Sequence, residues 1–127
     1  MGRVRTNIIV VDRNCWCLFD TGARNTYVVK NIASLLPSIE LDKPEPVALG
    51  GRIYQVKKEC HLSCLVEGLP VRTHARVLEE IGTDEEGKRI EILLGALAMQ
   101  EWGIRPIPDK EQLDMTNYPK EFVEFIG

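Results

Sequence analysis

CWCLFDTGARNTYVV, residues 15–29, is the stretch on which the reading of this chain turns. An apolar run, Cys15 to Phe19, drives straight into Asp20, and Thr21, Gly22 and Ala23 follow at once. CWCLF has the composition of a buried β-strand. A carboxylate at the end of such a strand is costly unless something there requires it. Taken alone, Asp-Thr-Gly is an ordinary turn in which the Asp side chain accepts hydrogen bonds from the backbone two residues on. The surroundings decide between the two readings.

Upstream, RTNIIVV is β-branched and apolar and reads as a first strand over residues 5–11; DRN supplies a turn, so CWCLF is the second arm of a hairpin that delivers Asp20. Downstream, TYVV is a short strand, and KNIASLLPSI places Ile32, Leu35, Leu36 and Ile39 on a helical stripe that Pro37 cuts short. ELDKPEP reads as a polar loop. Gly50 and Gly51, between two extended arms, read as the tip of a hairpin. EGLP is a further turn, VRTHARVLEEI a strand, and GTDEEGK a charged loop, solvated in the simplest reading. IEILLG is a short buried strand ending at Gly95, and ALAMQEWG is one or two helical turns closed by Gly103. In the tail, Asn117 as cap, Pro119 in the first turn and apolar Phe122, Val123, Phe125 and Ile126 predict a last small helix.

With 127 residues, 44% of them hydrophobic and 28% charged, the chain fits one globular domain rather than a disordered segment. A formal net charge of −3 argues against sequence-independent nucleic-acid binding, which rests on clustered Lys and Arg. No apolar run reaches membrane-spanning length and no secretory signal is seen, so no membrane partner and a cytoplasmic location are expected. MGRVRT fits a myristoylation pattern through Gly2 and Thr6, but the same segment reads better as the start of the first strand. Cys15, Cys17, Cys60 and Cys64, with His61, invite a zinc reading. Alternation along the second Cys segment puts Cys60 and Cys64 on one face and His61 on the other. Small apolar strand residues with reduced thiols are therefore expected, and no metal or organic cofactor.

The order of parts around Asp20 resembles that of the retropepsin-like aspartic proteases, the single-domain relatives of pepsin. LFDTGA (18–23) matches the catalytic loop, LGGRIYQV (49–56) the flap, and ILLGALAMQEWGI (92–104) the closing strand and helix. The resemblance implies a mostly β, single-domain acid protease fold over residues 1–108: a closed barrel-like sandwich with a flap hairpin and one or two short helices. Residues 109–127 are then a C-terminal tail whose apolar residues could stabilise a dimer. Peptide hydrolysis by this route needs two carboxyl groups sharing one proton, because carboxylates about 3 Å apart cannot both ionise cheaply. The chain has six aspartates, at 12, 20, 42, 84, 109 and 114, and only Asp20 lies in a D-[ST]-G turn. The second acid must come from another copy, so the expected enzyme is a homodimer with Asp20 meeting its equivalent on the axis.

The resemblance also assigns neighbours. Asp20, Thr21 and Gly22 form the catalytic loop. Gly22 allows the tight turn, and the Thr21 hydroxyl bonds across the axis and fixes the carboxyl planes. Ala23, Leu49, Gly50, Gly51, Arg52 and Tyr54 are the expected contacts of an extended polypeptide substrate, although a plain packing role for Tyr54 is the simpler reading. Ala23 brings no hydroxyl to favour the ionised dyad, which predicts an optimum from mildly acidic to near neutral. Viral members pair an acidic residue two positions past the loop glycine with an Arg after the closing glycine; here Arg24 and Ala96 stand there, and Leu97 replaces a polar residue. The function expected is an aspartic endopeptidase. The alternative is a non-catalytic dimeric module of the same fold that grips extended peptides by strand addition.

Overall fold

The computed structural model describes residues 2–120. The chain opens with β1 (Arg3–Val10) and β2 (Arg13–Asp20), an antiparallel hairpin in which Val10 faces Arg13 and Arg3 faces Asp20. Its turn is Val11-Asp12, both at positive φ, one residue earlier than the sequence suggested. That geometry matches the right-handed twist of the flanking strands. β3 (Tyr27–Val29) follows the turn after Asp20 and runs into α1 (Lys30–Ala33). The helix is a single turn, shorter than its apolar stripe implied. Leu35 is exposed and Ile39 already lies in the next strand. The residue before Pro37 is biased away from helical geometry, which ends the helix early.

β4 (Ser38–Leu49) and β5 (Arg52–Val66) form a long hairpin closed by Gly50-Gly51. Both glycines have positive φ, 58° and 79°, as a two-residue hairpin turn demands. The polar ELDKPEP segment is part of β4 rather than a loop, with a register irregularity between Glu40 and Glu45. β4 is the edge of its sheet, where prolines cost no ladder bond and charges discourage further pairing. β6 (Leu69–Leu78) returns along β5 after the Glu67-Gly68 turn. Short β7 (Gly82–Thr83) and β8 (Arg89–Ile90) flank the charged loop. That loop is exposed but ordered around Asp84, whose carboxylate accepts from the Glu86 and Lys88 N–H groups and from the Trp16 indole at 2.8–2.9 Å. These donors hold the Asp84 carboxyl below its ordinary range.

β9 (Ile92–Leu94), α2 (Ala96–Trp102), β10 (Arg105–Ile107) and β11 (Gln112–Asp114) complete the chain. Seven strands form one sheet in the order β1-β2-β9-β3-β6-β5-β4, and Ile9 of β1 pairs with Leu65 of β5, so the sheet closes on itself. The main core joins Val4, Ile8, Phe19, Val28, Leu62, Ile92 and Leu94 of this sheet with Ile32 of α1, all almost fully buried. Each such side chain contributes roughly 1.5–3 kcal/mol of transfer free energy. A smaller cluster joins Leu18, Tyr27, Val56, Leu78 and Leu93 of the sheet with Ile90 of β8. β11 pairs with β10, Leu113 enters the core, and the Tyr118 hydroxyl donates to the Pro70 carbonyl. Most of the expected last helix, with Phe122, Val123, Phe125 and Ile126, lies outside the described residues. Among the described residues no helix is long and apolar enough to cross a membrane.

The cysteines follow the strand alternation. All four are buried, whereas His61 faces outward, edge-on to His74 at 6.0 Å between ring centroids. The opposed faces break up the zinc set. Burial pushes the thiols up, Cys15 and Cys60 to about 11 and Cys64 to about 12.

Candidate active site

Two strands end side by side at the site. β2 and β9 run parallel, with Leu18 beside Leu93 and Phe19 beside Leu94, so Asp20 and Gly95 emerge at the same end. The first N–H groups of α2 have no partners within their own helix. The loop after Asp20 supplies them: Ala96 donates to the Ala23 carbonyl at 2.7 Å and Leu97 to the Arg24 carbonyl at 3.1 Å. Gly95 itself donates to the buried Thr26 hydroxyl at 3.1 Å. Nothing larger than glycine fits at 95, because a Cβ there would stand 2.6 Å from the Asn25 carbonyl carbon and 2.8 Å from the Arg24 carbonyl oxygen. Thus α2 clamps the loop that carries Asp20.

Asp20 is 6% exposed. Its Oδ1 accepts the Gly22 N–H at 2.8 Å, its backbone carbonyl accepts the Ala23 N–H at 3.1 Å, and its Oδ2 lies 3.4 Å from Arg3 Nε. The turn-former geometry is therefore present, but at the mouth of a cavity rather than on an open surface. Arg3 reaches the carboxylate because the β1–β2 register sets it directly opposite. Thr21 is engaged with the N-terminal segment: its N–H donates to the Gly2 carbonyl at 3.0 Å and its hydroxyl accepts the Gly2 N–H at 2.9 Å.

The cavity beside Asp20 has a volume of about 820 Å³. Asp20, Gly22, Ala23 and Arg24 form one wall, and Glu45 to Gly50 of the glycine-tipped hairpin form another. Of the residues expected to touch substrate, Ala23, Leu49 and Gly50 line this groove; Gly51, Arg52 and Tyr54 do not. Tyr54 instead borders a separate cavity with Lys30, Lys57 and Lys58. Glu45, a second carboxylate in the groove, is tied to Arg76 at 3.4 Å. Sequence reading missed Arg3, Thr26 and Gly95 as supports of the loop. Arg3 was readable from the hairpin register once the turn was placed at Val11-Asp12, whereas nothing local marks Thr26.

The architecture has close parallels among solved structures. The chain superposes on the retroviral protease-like domain of Ddi1 from Leishmania major with a TM-score of 0.65 and 13% identity, covering 92% of this chain and 90% of that one. The protease of EIAV, solved with the inhibitor HBY-793, gives a TM-score of 0.54 at 19% identity over 83% of this chain and 92% of that one. The fold is retropepsin-like. The same fold aligns with the foamy viral protease-reverse transcriptase, solved with an RNA/DNA hybrid, at a TM-score of 0.58 and 12% identity; the match takes in 84% of this chain and 12% of that one. No family model matches the sequence, and no curated protein matches it significantly. Within the retropepsin-like fold, Asp20 occupies the loop at the end of β2, clamped by α2, that its surrounding sequence motifs assigned to it.

Proposed function

We propose that the protein is an aspartic endopeptidase that works as a homodimer, with Asp20 of each copy forming the catalytic pair. One observation carries the reading: a buried carboxylate, with one oxygen held by the Gly22 N–H, stands at the edge of an 820 Å³ groove walled by a two-glycine hairpin. A structural aspartate has no need of a groove, and a groove of this size accommodates an extended peptide.

The chemistry follows from two such carboxyl groups brought together. The ionised one takes a proton from a water molecule, and that water's oxygen attacks the scissile carbonyl carbon. The protonated one gives its proton to the carbonyl oxygen as the tetrahedral intermediate forms. Collapse of the intermediate breaks the C–N bond and passes a proton to the leaving amine. The Gly22 N–H fixes the orientation of the Asp20 carboxyl group, and closure of the Gly50-Gly51 hairpin over the peptide would exclude water. Glu45 is held by Arg76, so the described residues supply no free second acid to the groove.

The test is digestion of an unfolded protein between about pH 4 and 7, the range expected where Ala23 brings no hydroxyl to the dyad. Wild type should cut, a statine-type mimic of the tetrahedral state should block it, and Asp20→Asn should fold but not cut. Cleavage that survives Asp20→Asn would refute the assignment. Tight peptide binding by intact wild-type dimers without any cleavage would favour the peptide-gripping alternative.

A further inference from the structure

A second cavity, of about 350 Å³, shares Arg24, Asn25 and Arg76 with the groove. This side arm is lined by Arg24, Arg72 and Arg76, by His61 and His74, and by a single carboxylate, Glu101. Three guanidinium groups and two imidazoles around one cavity stand out in a chain whose net charge is −3. Arg76 is paired with Glu45, but among the described residues Arg24 and Arg72 have no ion-pair partner. Arg3, Arg5, Arg76 and Arg89 hold Asp20, Glu111, Glu45 and Glu80 at 2.9–3.4 Å. Guanidinium groups lining one cavity give it a positive potential that favours an anion seated among them. The planar fork of Arg fits a carboxylate in two parallel hydrogen bonds.

We propose that this arm is a specificity subsite that binds an acidic side chain, Asp or Glu, of the same extended polypeptide that lies in the groove, a few residues from the bond to be cut. The inference rests on the groove being a peptide site. The shared lining supplies the occupant: Arg24, Asn25 and Arg76 border both spaces, so a peptide in the groove lies next to the second cavity. The departure at position 24 acquires a meaning in this way. The cation there presents charge to the substrate.

Two measurements test it. The first maps cleavage sites in a peptide library digested by wild type, by Arg72→Glu and by Arg24→Glu/Arg72→Glu. Wild type should show acidic residues enriched about tenfold at one fixed offset from the cut, as expected for two or three half-exposed ion pairs. The reversed variants should lose that preference and favour Lys or Arg at the same offset. A flat profile in wild type, or one unchanged by charge reversal, overturns the proposal. The second measures binding of paired peptides, Glu against Gln at that offset or scanned along the sequence, to Asp20→Asn chains. The Glu peptide should bind about tenfold more tightly, with the difference shrinking as salt is raised. Equal binding of the pair overturns the proposal. If the wild type cuts nothing while the Glu peptide still binds in an Arg72-dependent way, the endopeptidase reading falls and the acidic subsite stands. If neutral and acidic peptides are cut alike, the reverse holds. Arg72→Glu alone guards against a misleading result from Arg24, which sits next to the catalytic loop, and sedimentation of each variant checks its assembly.

Discussion

Gly95→Ala tests how the loop that carries Asp20 is held. An added Cβ would meet the Asn25 carbonyl carbon at 2.6 Å and the Arg24 carbonyl oxygen at 2.8 Å. Both are backbone atoms that no rotamer change can move aside. Ordinary carbon contacts need about 3.5 Å, so α2 and the loop must part by roughly 1 Å. Three hydrogen bonds span that seam: Gly95 to the Thr26 hydroxyl, Ala96 to the Ala23 carbonyl, and Leu97 to the Arg24 carbonyl. At about 1 kcal/mol net for each, their weakening and the accompanying strain should cost roughly 2–4 kcal/mol. A shift of roughly 1 Å at the loop should also lower kcat/KM by about 100-fold. Urea unfolding at one fixed protein concentration reads the first effect, since assembly would couple stability to concentration. Thr26→Val is the matched control. It keeps the volume but strands the buried Gly95 N–H, for about 1–3 kcal/mol. A Gly95→Ala protein within about 0.5 kcal/mol of wild type and fully active would refute the clamp.

Further outcomes can be checked separately. Val11 sits at φ 49° in an exposed turn, a conformation that a β-branched residue adopts at a cost; Val11→Asn should therefore raise stability by about 0.5–1 kcal/mol in thermal or urea denaturation, and a loss would contradict the turn assignment. The raised thiol values carry a pH signature. Between the unfolded value of about 8.5 and the native values of about 11 to 12, the native state keeps protons that the unfolded chain releases, so stability falls as pH rises through that window and is insensitive to these thiols below it. Urea midpoints at pH 8 and about 10.5 should show the fall, and rapid alkylation of the native thiols at neutral pH would count against their burial. If the acids come from two copies, activity per mass should drop on dilution in step with the dimer fraction seen by sedimentation, and constant specific activity across that dilution would count against a shared pair.

Most of the architecture was legible because the signals were local and physical. Two strands flanking paired glycines dictate a hairpin, and the short helix after Leu94 was bounded by Gly95 and Gly103. The alternation that set Cys60 and Cys64 apart from His61 also held. The misreadings share a cause. ELDKPEP has loop composition yet pairs as strand, because an edge strand tolerates prolines and charges that a central strand would not. The stripe from Ile32 to Ile39 has helical spacing, but only Ile32 and Leu36 meet the core, and packing rather than spacing decides where a helix of one turn stops. At the site, Asp20 was legible because a carboxylate closing an apolar run is anomalous. Thr26 and Arg24 were harder, since what each touches is fixed by strands and helices distant in sequence.

The bonding around Thr21 separates two jobs that a dimer at this site would require. In the single chain Thr21 is satisfied by Gly2, through N–H to carbonyl at 3.0 Å and Gly2 N–H to hydroxyl at 2.9 Å, while Arg3 accompanies Asp20. A cross-axis role for that hydroxyl means exchanging these partners for equivalent ones on the other copy. Exchange of one hydrogen bond for another is close to neutral, unlike the loss of one, which costs about 1–3 kcal/mol when the group is buried. In such a dimer the loop's hydrogen bonds would set the angle between the two carboxyl groups and contribute little affinity. Affinity has to come from apolar surface buried on assembly. Ile53, 75% exposed just past the hairpin tip, offers such surface away from the loop. A site built this way would leave the adhesion of its copies free to vary while the Asp-Thr-Gly geometry stays fixed.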